Sequence, residues 1–130
     1  MNKASLSNLI NSYDSLSCLH TIEHFGLGRY GDPINPNGYI DGIKNMTTIL
    51  KKGGKFYLST PIGKECVEFN ANRIFNPIKL LELLKESNLH IQNLYIISNG
   101  ECIEIEINDL ELSKLSKSKY NLGIFILKKL

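Results

Sequence analysis

Apolar and polar positions alternate along this chain with two different periods. Tyr13 to His20 (YDSLSCLH) is a short mixed run that predicts a strand. From Tyr39 to Leu50 the apolar residues Ile40, Ile43, Met46 or Thr47, and Leu50 recur at helical spacing. Lys51-Lys52-Gly53-Gly54 reads as the stop of that helix, since cations suit a helix C-terminus and glycine an αL turn. Lys55 to Thr60 predicts a strand closed by Pro61, and Glu65 to Asn76 reads as a loop. A second helix is predicted from Pro77 to Ser87, with Asn76 as N-cap, Pro77 in the first turn, and Ile78, Leu80, Leu81, Leu83 and Leu84 on its buried side. His90 to Ile97 and Cys102 to Ile107 predict two strands joined at Asn99-Gly100, a hairpin signal. In the second of these, Ile103, Ile105 and Ile107 alternate with Glu104 and Glu106, which predicts one buried and one wet face. Asp109 to Lys119 is polar, a helical turn or a link, and Tyr120 to Lys128 predicts a final strand. Phe25 to Gly38 holds four glycines with Pro33 and Pro36, which denies a helix there.

Strands alternating with helices, then antiparallel strands, predict an α/β fold: a partial doubly wound sheet of about four or five strands with an antiparallel C-terminal end. At 130 residues the chain has the length of one domain, 1–130, and the 42% hydrophobic content suits a folded core. Fifteen basic residues against thirteen acidic give net +2, too balanced for a nucleic-acid surface. No apolar run reaches the ~20 residues of a membrane span, and no signal-peptide pattern opens the chain, so a cytoplasmic protein is expected. Cys18, Cys66 and Cys102 are too far apart for a zinc knuckle, and each reads as a small core residue, Cys102 and Cys18 above all. Thirteen of the fifteen basic residues are Lys. The only two Arg, Arg29 and Arg73, fall in the two oddest segments, GLGRYGD and NANRIFN.

Two short patterns match known chemistry in letters but not in context. Gly26 to Gly31 fits G-x-G-x-x-G, yet five residues part it from the strand and a proline-rich stretch follows where a helix is required. His20 to His24 fits H-x-x-E-H, yet the pattern begins at a strand end and meets Gly26 at once, so no helix can hold both His on one face. No metal is expected.

Longer motifs carry a resemblance. YDSLSCLHTIEH, ILKKGG, KFYLSTP and the final strand pair resemble the C-terminal half of a class I, S-adenosylmethionine-dependent methyltransferase. GLGRYGDPINPNG and FNANRIFN are similar to the methyltransferase-like family known as domain of unknown function 268, from about Ser7 to Lys128. Asn72 stands where that family usually has His, Asn35 where Asp is common, and the final strand has Leu and Ile in place of aromatics. A complete methyltransferase also begins with a strand, a Gly-rich turn, a helix and a ribose-binding acid. This sequence has none of these ahead of Tyr13.

The resemblance implies S-adenosylmethionine as cofactor, with Asn8, Leu9 and His20 as what remains of its binding segment. Ligands of open α/β sheets sit beyond the carboxyl ends of the strands. That places Glu23 and His24 as acid–base or orienting candidates, or alternatively as braces of the long loop. Arg29 and Asp32 are candidates for an acidic substrate group, or for an internal pair that pins the loop. Asn70, Asn72 and Arg73 are candidates for a sugar or acidic group, or for turn caps. Phe69 and Phe75 read as core or loop anchors. The expected function is that of a truncated methyltransferase-like domain without independent catalysis. The alternative is an active enzyme acting on a small or glycan-precursor acceptor, completed by a partner chain that supplies the N-terminal half, or by a homo-oligomer formed through the free strand edge.

Overall fold

The computed structural model describes residues 10, 12–19, 22–24, 38–67, 73–119 and 121–130. Strand β1 (Tyr13–Leu19) is followed by a 3-10 turn (Ile22–His24), then helix α1 (Gly38–Ile49) and the long strand β2 (Leu50–Ile62). Two short strands, β3 (Cys66–Val67) and β4 (Arg73–Ile74), precede helix α2 (Pro77–Glu86). The hairpin β5 (Leu89–Ser98) and β6 (Glu101–Ile105) comes next, then helix α3 (Asp109–Lys117) and strand β7 (Asn121–Lys129). The main sheet has the order β1-β2-β7-β5-β6, with β1 and β2 parallel and every other neighbour antiparallel.

Local chemistry explains most of these elements. The Asn76 side chain accepts from the Ile78 and Lys79 amides and opens α2, with Pro77 in the first turn as expected. Asn88, at φ 64°, takes the left-handed position that ends it. Asn99 and Gly100, at φ 51° and 79°, form the hairpin turn that the sequence signals. Asn108 caps α3 by accepting from the Glu111 amide at 2.8 Å, so the Asp109 segment is a nine-residue helix rather than a link.

Three expectations about the chain between the helices are corrected. Lys51 to Gly54 does not form a turn between helix and strand; α1 runs directly into β2 at Leu50. The glycines serve the sheet instead. The register against β1 jumps from Tyr13–Leu50 to Ser15–Lys55, and a Cβ on Gly54 would lie 2.8 Å from the Asp14 and Lys51 carbonyl oxygens. Only glycine lets the bulged strand approach β1 this closely. Nor does Pro61 close β2. Its carbonyl accepts from Phe75 at 3.1 Å, and a residue's N–H and C=O point to the same side of a strand, so the missing N–H costs no bond to β7. The Glu65–Asn76 stretch, expected as a loop, contains the β3–β4 pair, and Phe75 bridges Ile62.

The core lies on one face of the sheet. Phe56, Leu58 and Ile62 of β2, Phe125 and Leu127 of β7, and Leu94 and Ile96 of β5 pack with Ile43, Leu80, Leu84, Leu112 and Leu115 from the three helices. Each fully buried apolar side chain of this kind contributes about 1.5–3 kcal/mol. Cys18 joins this core as expected, whereas Cys102 is exposed. Cys102 pairs with Ile97 on the face opposite the helices. The isoleucines of β6 do not form a fully buried face either: Ile103 is 43% exposed. Its strand is the last in the sheet, with a neighbour on one side only among the described residues.

Candidate functional site

The carboxyl ends of the parallel pair β1–β2 are the place where an open α/β sheet of this kind holds ligands. The chain turns there twice. After β1 it enters the 3-10 turn, which packs against α1, β2 and β4. After β2 it passes Gly63, whose amide donates to the Phe75 carbonyl at 2.9 Å, and Lys64, whose amide donates to the Ser118 carbonyl at 2.7 Å. These bonds fix β4 beside the end of β2 and bring residues far apart in sequence into one cluster.

Glu23 and Arg73, both candidates from the sequence, lie on elements in contact, the 3-10 turn and β4, and both are deeply buried, 1% and 6% exposed. The Arg73 guanidinium lies over the Tyr39 ring, 4.8 Å from its centroid, and Phe75 meets Tyr39 edge-on with centroids 5.1 Å apart. Burial pulls the Arg73 pKa below its ordinary value, and Tyr39 partly offsets this. A guanidinium still keeps its proton under such a shift. Placed over an aromatic face it gains cation–π attraction of about 2 kcal/mol when desolvated. Thr60, fully buried in β2, has a hydroxyl with no hydrogen-bond partner.

The backbone of His24 belongs to the same turn as Glu23. Asn8, Leu9, His20, Arg29, Asp32, Asn70 and Asn72 lie outside the described residues, as does Phe69. The residues that the sequence did not single out are Tyr39 and Thr60. Tyr39 is 34 positions from Arg73, and no local pattern pairs them. Phe75 is a core residue, as read from the sequence.

The cavity beside this cluster is about 130 Å³, bordered by Tyr39, Phe75, Asn76, Leu80 and the exposed Lys79–Glu65 ion pair, whose nitrogen and oxygen are 2.9 Å apart. That hydrogen bond and the Glu65 charge raise the Lys79 pKa. Sites for small-molecule ligands generally measure roughly 300–1,000 Å³. A groove of about 340 Å³ opens between α2, α3 and the amino end of β5, away from the strand ends where the candidates cluster. Among the described residues no three His, Cys, Asp or Glu side chains converge, and no helix is long and apolar enough to cross a membrane.

Known proteins place this geometry in context. The family model described as "Caenorhabditis protein of unknown function, DUF268" matches residues 3–130. No curated protein matches the chain. Among solved structures, a SAM-dependent methyltransferase of Methanosarcina mazei superposes with a TM-score of 0.62 at 16% identity, covering 100% of this chain and 65% of its own. The [4+2]-cyclase SpnF gives 0.60 at 13% identity, covering 92% and 52%. A 1,6-didemethyltoxoflavin-N1-methyltransferase of Burkholderia thailandensis, solved with S-adenosylhomocysteine, gives 0.55 at 14%, covering 96% and 48%. The likeness is one of fold, and the chain spans about half to two-thirds of these proteins.

Proposed function

The chain belongs to the DUF268 family and has a methyltransferase-like fold, and from that premise we propose that it is a single domain, the substrate-side half of a methyltransferase, without catalysis of its own. One observation carries this reading. Nearly the whole chain superposes on two methyltransferases and the cyclase SpnF, yet it spans only 48–65% of these three proteins. The part that is present supplies the buried Glu23 and Arg73 near the strand ends, with Tyr39 under the Arg73 guanidinium.

In this reading Glu23 and His24 orient an acceptor, and Arg73, with Arg29, Asp32, Asn70 and Asn72, recognises an acidic or sugar-like group on it. Asn8, Leu9 and His20 border the cofactor when the other half of the fold is present. Arg73 suits a recognition role because its charge persists and its ring stacking fixes its plane.

Isothermal titration calorimetry with S-adenosylmethionine and S-adenosylhomocysteine tests the proposal. No heat of binding is expected at micromolar ligand. Micromolar affinity in the chain alone would overturn the non-catalytic reading in favour of an active transferase.

A further inference from the structure

The hairpin β5–β6 ends the sheet with a strand that is paired on one side. Asn99-Gly100 is a two-residue turn, so Ser98 and Glu101 exchange the first ladder bonds. Bonded and non-bonded pairs then alternate along an antiparallel ladder. Glu101, Ile103 and Ile105 therefore turn their backbone N–H and C=O groups toward β5. Cys102 and Glu104 turn theirs outward, where no described strand meets them. Every residue from Glu101 to Glu104 is exposed. Ile103 pairs with the core residue Ile96 and so lies on the helix-bearing face, yet it stays 43% exposed.

We propose that β6 receives an extended, basic segment of a partner protein as a sixth strand of the sheet. Charge decides the occupant. The chain has 15 Lys and Arg, but none between Glu86 and Ser113, so Glu101, Glu104 and Glu106 follow one another with no cation nearby in sequence. Among the described residues their carboxylates form no ion pair. Glu104 and Glu106 accept only from the side-chain amides of Asn93 and Asn108, each at 3.4 Å.

A second copy joined through this edge would add three more carboxylates and no cation, and like charges across strands are destabilising. Acidic side chains thus guard the edge against its own kind. A Lys or Arg set opposite Glu104 turns the same charge into an attraction. In antiparallel pairing the residue opposite Ile103 comes to the helix-bearing face, where an apolar side chain covers Ile103. The segment recognised therefore alternates basic and apolar residues along the five-residue strand, with its backbone bonded to Cys102 and Glu104. Backbone bonds of this kind supply affinity, and the alternate side chains supply specificity. The inference is independent of the methyltransferase reading.

Isothermal titration calorimetry of the full chain with a capped octapeptide of alternating Lys and Val tests it. Saturable one-to-one binding at micromolar concentration is expected, with none for the Glu-Val counterpart. Methylating the Lys backbone nitrogens keeps the charge but blocks the bonds to Cys102 and Glu104, and is expected to weaken binding roughly tenfold or more. Glu104→Lys is expected to weaken the Lys-Val peptide about threefold or more. Amide hydrogen exchange of the wild-type chain locates the added strand. The Cys102 and Glu104 amides are expected to slow when peptide is bound, whereas Ile103 and Ile105, bonded to β5, are expected to be slow already. Absent binding, equal affinity for the N-methylated peptide, or protection that misses Cys102 and Glu104 would overturn the proposal. So would a self-associated chain in which both amides are protected without peptide.

Discussion

Lys129 offers the sharpest test of how the last strand holds the fold together. Its ammonium donates to the Thr47 and Leu50 carbonyls, each at 2.7 Å. Thr47 lies in the last turn of α1, so its carbonyl is among those a helix leaves without an internal partner. Leu50 is the first residue of β2. One side chain thus clamps the junction where helix becomes strand, from a position about 80 residues away. Hydrogen bonds to a charged group contribute about 1.5–3 kcal/mol each. Burial opposes this, and lowers the Lys129 pKa. Lys129→Met removes both bonds, leaves two carbonyls poorly satisfied and relieves the desolvation, so the expected net loss is about 2–3 kcal/mol. At about 2.1 cal/mol/K of unfolding entropy per residue, a loss near 2.5 kcal/mol lowers Tm by about 9 °C for a chain of this length. Thermal denaturation followed by circular dichroism measures it, with Lys128→Met as the control. Lys128 is exposed, and its replacement is expected to change stability by less than about 0.5 kcal/mol. A Lys129→Met variant that melts within about 2 °C of wild type would refute the clamp.

Three further outcomes follow from the structure. Asn76→Ala removes the cap that serves the Ile78 and Lys79 amides and is expected to cost about 1 kcal/mol in chemical denaturation; an unchanged midpoint would count against the cap. Gly63→Ala places a methyl group 2.7 Å from the Ser118 carbonyl oxygen, so the contact between the end of β2 and the end of α3 must open. A loss of at least about 2 kcal/mol is expected, read as a lower denaturation midpoint. Thr60→Val removes a buried hydroxyl that has no partner and is expected to raise stability by up to about 1 kcal/mol; a drop in Tm would show that the hydroxyl is satisfied in solution.

Much of the fold is legible in the sequence because it depends on neighbours three or four residues away. Asn76 and Pro77 start α2, and Asn99-Gly100 turns the hairpin, whatever the rest of the chain does. The strands β5 and β7 also lie where their apolar patterns put them, to within a residue or so. The long motifs around Arg29 and Arg73 pointed to the family that the match over residues 3–130 bears out.

The misread positions share a physical cause. Ile103 and Cys102 alternate as strand residues should, but alternation states only that the two faces differ, not which has a helix above it. That depends on the order β1-β2-β7-β5-β6, which places their strand at the margin. Gly53-Gly54 after a helix carries the letters of a stop signal; the need for β2 to approach β1 turned the same glycines into a bulge. In the candidate site, the sequence supplied Glu23 and Arg73 as chemistry without a geometry. Tertiary structure alone decided that both are buried, that Tyr39 lies under the guanidinium, and that Lys129 reaches the end of α1. Local sequence sets the elements through short-range bonds and periodic burial. Contacts across tens of residues exist only once the sheet has chosen its strand order, and no local pattern encodes that choice.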